Sequence, residues 1–235
     1  MSLTPARPAR RLPRRLLQLY AGLALYGASS AFLVRAGLGL DPWDVFHQGI
    51  AERTGWSIGT VSVAVGALVL LLWVPLRQRP GLGTLSNVLA VGLTMDATLA
   101  VVPDVQGTLA QAALLAAGIV LNGVATGLYI AACFGAGPRD GLMTGLHRRT
   151  GRSLRLVRTG IELTVLLAGV LLGGTAGVGT VAYALAIGPL SQLFLRVFAL
   201  PAQPAAPADP LAGAPAAAPA AAPAAASEPV PACSP

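Results

Sequence analysis

Shifted by 96 residues, the chain aligns with itself without a gap. Gly39, Pro42, Asp44, Gly49, Arg53, Thr54, Gly55, Ser57 and Val61 fall on Gly135, Pro138, Asp140, Gly145, Arg149, Thr150, Gly151, Ser153 and Val157, nine identities over 23 aligned positions. The register persists downstream, where Gly81-Leu82-Gly83-Thr84 meets Gly177-Val178-Gly179-Thr180 and Gly92 meets Gly188. A repeat of this length is a duplicated folding unit, so the chain is expected to contain the same run of elements twice.

What kind of unit is duplicated follows from polarity. Hydrophobic residues make up 54% of the 235 residues and charged residues only 11%, against roughly 25% charged in a soluble domain. Six stretches, near 16–36, 57–75, 83–102, 109–132, 154–173 and 177–198, approach the roughly 20 apolar residues that cross a bilayer. Backbone polar groups in hydrocarbon must pair within the segment, so these stretches are expected to be helices. The fifth is the least apolar, since Arg155, Arg158 and Glu162 interrupt it, and the i,i+4 spacing of Arg158 and Glu162 suits a local ion pair. Three spans per copy is an odd number, which would set the second copy upside down relative to the first, a geometry common among secondary transporters. The expected fold is therefore an all-α membrane protein of six transmembrane helices in two inverted three-helix repeats. The repeats cover 16–102 and 103–199, with an Arg-rich cytoplasmic segment at 1–15 and a disordered Ala/Pro-rich tail at 200–235.

All 16 basic residues are arginine. With the N-terminus in the cytoplasm, only Arg35 and Arg53 fall outside, which is the asymmetry of the positive-inside rule; both termini are then cytoplasmic, and the setting is a bacterial inner membrane. The net charge of +7 is thus spread over membrane flanks, whereas nucleic-acid binding needs basic residues gathered on one soluble face. The arginine-flanked first apolar run is too long for a cleaved signal peptide and pairs with span four, so it is expected to remain.

The duplicated motif follows the first span of each copy, as Gly37-Leu-Gly39-Leu-Asp41-Pro42-Trp43-Asp44 and Gly135-Ala-Gly137-Pro138-Arg139-Asp140. Proline suits the first turn of a helix, an acid nearby can satisfy free N–H groups there, and Thr54-Gly55 or Thr150-Gly151 is a stop signal. Short amphipathic helices are predicted at 42–54 and 138–150. Two readings stand: helices lying in the interface plane with Asp44 and Asp140 as caps, or re-entrant half-helices whose N-termini line a polar cavity. The Gly-x-Gly element has no preceding strand and no Gly-Lys-Ser/Thr, so it is not a phosphate loop.

Ionisable and amide groups inside spans are functional candidates. Asp96 lies in span three, with Gln192 as its repeat mate in span six, and Asn122 lies near the middle of span four. The candidate substrate or ion site comprises Asp44, Asp140, Asp96, Asn122 and Gln192, with Gly39, Pro42, Gly135 and Pro138 shaping the motif backbone. His47 and His147 are not repeat mates, and no ligand set for a metal or cofactor stands out. Nor does a nucleophile with its base and acid, so an enzyme is not expected.

The run Gly-Leu-Gly-Leu-Asp-Pro-Trp-Asp-Val-Phe-His-Gln-Gly at 37–49, echoed by Gly-x-Gly-Pro-x-Asp-Gly-Leu-Met-Thr-Gly at 135–145, resembles the YczE/YyaS/YitT group of bacterial multi-pass membrane proteins over residues 14–200. That resemblance implies a topology but no activity. The expected function is a permease for a small molecule with its site between the repeats; the other reading is a membrane accessory protein supporting a partner complex. Expected partners are the lipid bilayer, an unidentified small-molecule substrate, and a second copy or another membrane protein, but not nucleic acid.

Overall fold

The computed structural model describes residues 12–198; the tail at 200–235 and most of the arginine-rich segment at 1–15 lie outside the described residues. Within the described residues eight helices follow one another: α1 Leu12–Ala36, α2 Pro42–Thr54, α3 Ile58–Trp73, α4 Leu82–Val101, α5 Thr108–Ala131, α6 Pro138–Thr150, α7 Leu154–Leu172 and α8 Val178–Phe198. Every starting residue of α1 to α4 lies 96 positions before the corresponding start in α5 to α8. The predicted short helices have the predicted bounds, and left-handed Gly55 and Gly151 end them.

Four helices, α1, α4, α5 and α8, are long and apolar enough to cross a membrane, and the α2–α3 pair, bent by 114°, makes a fifth if counted as one broken span. This differs from the six straight spans expected. The reasons are local: α3 has 16 residues, and α7 carries Arg155, Arg158 and Glu162 in its first half. Arg158 Nε does pair with Glu162 Oε1 at 2.9 Å. Leucines such as Leu71, Leu89, Leu93, Leu167, Leu171 and Leu185 are exposed on the outer helix faces, which water would penalise and lipid would not.

α1 crosses α5 antiparallel at the centre of the fold. A Cβ on Gly22 would lie 3.1 Å from the Ala125 carbonyl, and one on Gly118 would lie 3.2 Å from the Ser29 carbonyl; the two glycines are repeat mates, as are Ser29 and Ala125. The small residues thus let the backbones meet. Arg15 bonds the carbonyls of Ala132 and Cys133 at 2.9 Å each, a cation on the last carbonyls of α5.

The halves also exchange contacts reciprocally. Gly83 N donates to Phe134 O at 2.9 Å, and Gly179 N donates to Leu38 O at 2.8 Å. Thr84 and Thr180 reach back to the amides of Gly81 and Gly177 at 3.1 and 3.2 Å. Each half's last helix is thereby seated on the motif loop of the other half. Gly39 and Gly135 turn these loops at φ of 119° and 116°, where a side chain would be strained. At Gly39 a Cβ would also come within 2.7 Å of Gly177 N.

One pairing is not reproduced. α3 packs on α4 where Gly59 meets Gly92, and Asp96 accepts from Ser57 Oγ at 2.6 Å and from Gly59 N at 2.8 Å. In the second half the mate of Gly59 is Arg155, no comparable packing joins α7 to α8, and Gly188 faces open space. Gly92→Ala, whose new Cβ would sit 2.5 Å from the Gly59 carbonyl, should cost about 1–3 kcal/mol as overpacking, while Gly188→Ala should change stability by less than about 0.5 kcal/mol. Thermal unfolding of the two purified variants in detergent checks the contrast.

Candidate functional site

The two motif loops converge. Asp41 is the N-cap of α2, its Oδ1 accepting from Trp43 N at 2.8 Å and Asp44 N at 3.0 Å. The capping acid is therefore the one before the proline, because a cap must precede the first helical residue to face its free N–H groups. Asp44, one turn inside, is left to other partners: its Oδ1 lies 3.1 Å from His47 Nδ1 and 3.6 Å from Arg139 Nη2. Arg139 Nη1 lies 3.5 Å from Asp41 Oδ1, and the guanidinium sits over the Trp43 ring, 5.0 Å from its centroid, a cation–π geometry.

Trp43 and Arg139 are repeat mates, so the cluster forms where the two copies meet. Asp41 and Asp44 are 1% and 2% exposed, while the Arg139 side chain is a quarter exposed. Two carboxylates thus share one guanidinium. The contacts from the backbone, His47 and Arg139 all reach Oδ1 atoms; both Oδ2 atoms and the Trp43 indole N–H are buried with no hydrogen-bond partner. Unpartnered buried polar atoms are costly and uncommon, and three of them surround this one cluster. The aromatic rings of Trp43 and Phe46 flank His47 with centroids 6.5 Å away.

Tyr26 of α1 and Tyr183 of α8 lie close enough to Asp41, Asp44 and Arg139 to interact with them electrostatically. The Tyr183 hydroxyl donates to Asn122 Oδ1 at 3.0 Å, Asn122 Nδ2 donates to Ser29 Oγ at 2.9 Å, and Ser29 Oγ donates to Tyr26 O at 2.7 Å. Asn122 is fully buried, and this chain of bonds ties α8, α5 and α1 together behind the charges. Tyr26 and Asn122 are again mates.

Of the residues singled out from sequence, Asp44 and Asn122 belong to this centre. Pro42 starts α2 and Pro138 starts α6, and Pro138 O accepts from Trp73 Nε1 at 3.1 Å. Asp140 is exposed, its Oδ2 accepting from Tyr129 Oη at 3.0 Å. Asp96 stands apart at the N-terminus of α3, and Gln192 is exposed on α8. Sequence reasoning did not assign Asp41, His47, Arg139, Tyr26 or Tyr183 to the site. Asp41 carried a signal, a capping acid directly before a proline, and Arg139 carried another, a charge replacing an aromatic at a repeat-paired position.

Beside the cluster, and separated from it by Trp43, lies a cavity of about 780 Å³. Its lining includes four pairs of repeat mates: Phe46 and Leu142, Ile50 and Leu146, Val65 and Ile161, Val69 and Val165. It is largely apolar, with Thr150, Arg152 and Thr164 among its lining residues.

Residues 13–196 match the model of a family of unknown function, DUF6198. The chain belongs to that family. Among curated proteins, an uncharacterized protein of Haemophilus influenzae is 40% identical over 181 residues, covering 77% of this chain and 83% of the relative. The uncharacterized membrane protein YczE of Bacillus subtilis is 35% identical over 185 residues, again 77% and 83%, and YyaS of the same organism is 24% identical over 180 residues, 75% and 90%. No solved structure matches. With apolar helices and a membrane-protein relative, this DUF6198 member is a multi-pass membrane protein.

Removing Arg139 would leave two unpaired buried carboxylates. Arg139→Gln is expected to cost about 2–4 kcal/mol, somewhat under the loss of a fully buried pair because the side chain is partly exposed. Adding Asp44→Asn should recover part of that loss, and denaturant unfolding of the single and double variants measures both.

Proposed function

We propose that this protein is a carrier for a small molecule, built as two inverted repeats of three membrane-crossing helices, with its site at the Asp41, Asp44, His47 and Arg139 cluster. The observation that carries the reading is the unequal exposure of repeat mates. Asp44 is sealed while Asp140 is exposed; likewise α3 is closed on α4 through Gly59 and Gly92, while α7 stands away from α8. Two inverted copies in different conformations are how such carriers expose one site to one side at a time.

In this reading the arginines mark the cytoplasmic side of the inner membrane, so the closed α3–α4 contact faces outward and the open α7–α8 gap faces the cytoplasm. In this arrangement α2 and α6 are re-entrant: loops from opposite faces bring Asp41 and Arg139 together in the interior. Irregular backbone at membrane depth is tolerated where it is enclosed by protein, and the motif loops are enclosed by α4, α8 and each other. The partners in this reading are the bilayer and the transported molecule, with room for a second copy or another membrane protein on the apolar flanks. Nucleic acid has no place in it, and no catalytic role is assigned.

Flux of candidate metabolites in proteoliposomes tests it. Wild-type protein should support flux, Asp44→Asn should lower it at least tenfold, and Gln192→Ala should leave it within about twofold. Absence of flux for every compound in wild-type vesicles would instead favour the accessory reading, in which the buried cluster is a structural clasp.

A further inference from the structure

We propose that Asp41 and Asp44 together hold one exchangeable proton. That this proton is also the coupling ion rests on the carrier reading above; that it is bound does not.

The inference starts from charge. Two carboxylates at 1% and 2% exposure face one guanidinium, so with both ionised the cluster carries a surplus negative charge away from water. Such a surplus is expensive in a low-dielectric interior. The groups facing the pair are few: His47 from the same helix, Arg139 from α6, Tyr26 from α1 and Tyr183 from α8. The tyrosines are neutral, and Arg139 is already shared. His47 is enclosed by the Trp43 and Phe46 rings and bonds Asp44 through Nδ1. Neutral imidazole can donate that bond, whereas an imidazolium there would itself be a desolvated charge.

The bonding pattern says where the proton goes. Trp43 N, Asp44 N, His47 Nδ1 and both arginine nitrogens all address Oδ1 atoms, leaving Asp41 Oδ2 and Asp44 Oδ2 buried and unpartnered. An O–H bond on one Oδ2 removes the surplus charge and changes an orphaned acceptor into a neutral hydroxyl. The proton arrives from water and returns to water, so the cluster alternates between one net negative charge and none. Two coupled acids share it as a pair, and the site is a property of both.

Size selects the ligand. Both Oδ2 atoms are shut off from solvent, and the large cavity is lined by Trp43 but by neither aspartate. A metal ion would have to gather further oxygen ligands beside a guanidinium that repels it. A proton needs no additional room.

Infrared spectroscopy of the full-length protein in lipid bilayers reads the proton without any transported substrate. Wild type near neutral pH should show a carboxylic-acid C=O band that shifts in deuterated water and disappears as pH is raised. Asp41→Asn and Asp44→Asn should each lose that band, because the remaining carboxylate then balances Arg139, while Asp96→Asn should keep it. If either asparagine variant fails to fold, the wild-type pH titration and the other variant still decide. A wild-type spectrum with no exchangeable acid band, or a band that survives both substitutions, overturns the proposal. Because no flux is measured, the proton site can fail while the carrier reading stands, and the reverse.

Discussion

A single guanidinium, Arg139, holds the centre of this protein. It lies within 3.6 Å of two buried carboxylates and over the ring of its own repeat mate, Trp43. Trp43 and Arg139 hold equivalent positions in the two repeats, so this contact marks where the copies meet. The rest of the fold is arranged to bring it there: α1 crosses α5 on paired glycines, each half's last helix anchors the other half's motif loop, and the Tyr183, Asn122 and Ser29 chain joins α8, α5 and α1. Such a buried ionic contact adds little net stability compared with a hydrophobic substitute.

The halves share a plan and differ in closure. Gly59 against Gly92 permits backbone contact in the first; in the second Arg155 stands in place of Gly59, and no comparable contact forms. The same asymmetry runs through the motifs. Asp44 found His47 and Arg139; Asp140 found Tyr129 and solvent. The repeat offers two equivalent motifs, and differences between the mates leave one cluster with contributions from both.

Much of the architecture was legible in the chain. The 96-residue register predicted matching helix bounds, and Pro42, Gly55, Pro138 and Gly151 gave the ends of α2 and α6, because capping is local chemistry. The site was legible in part. Asp44 and Asn122 stood out as polar groups in apolar surroundings. Asp96 stood out for the same reason, yet it is bound to the N-terminus of α3, since an acid inside an apolar stretch looks alike whether it meets a helix end or a cavity. Arg139 read as one more cytoplasmic arginine because its neighbours in sequence are at a loop, and nothing local says that it reaches Asp41 and Asp44 of the other copy.

By itself, then, the amino-acid order determined that this chain is helical, membrane-embedded and duplicated, since apolar length, turn residues and internal identity depend only on neighbours along the chain. Only the tertiary structure decided that Asp41, Asp44 and His47 from one copy face Arg139 from the other, and that α3 closes on α4 while α7 leaves α8. Those outcomes depend on which small residues oppose which large ones across the interface, and on the cost of leaving a carboxylate without a partner once water is excluded.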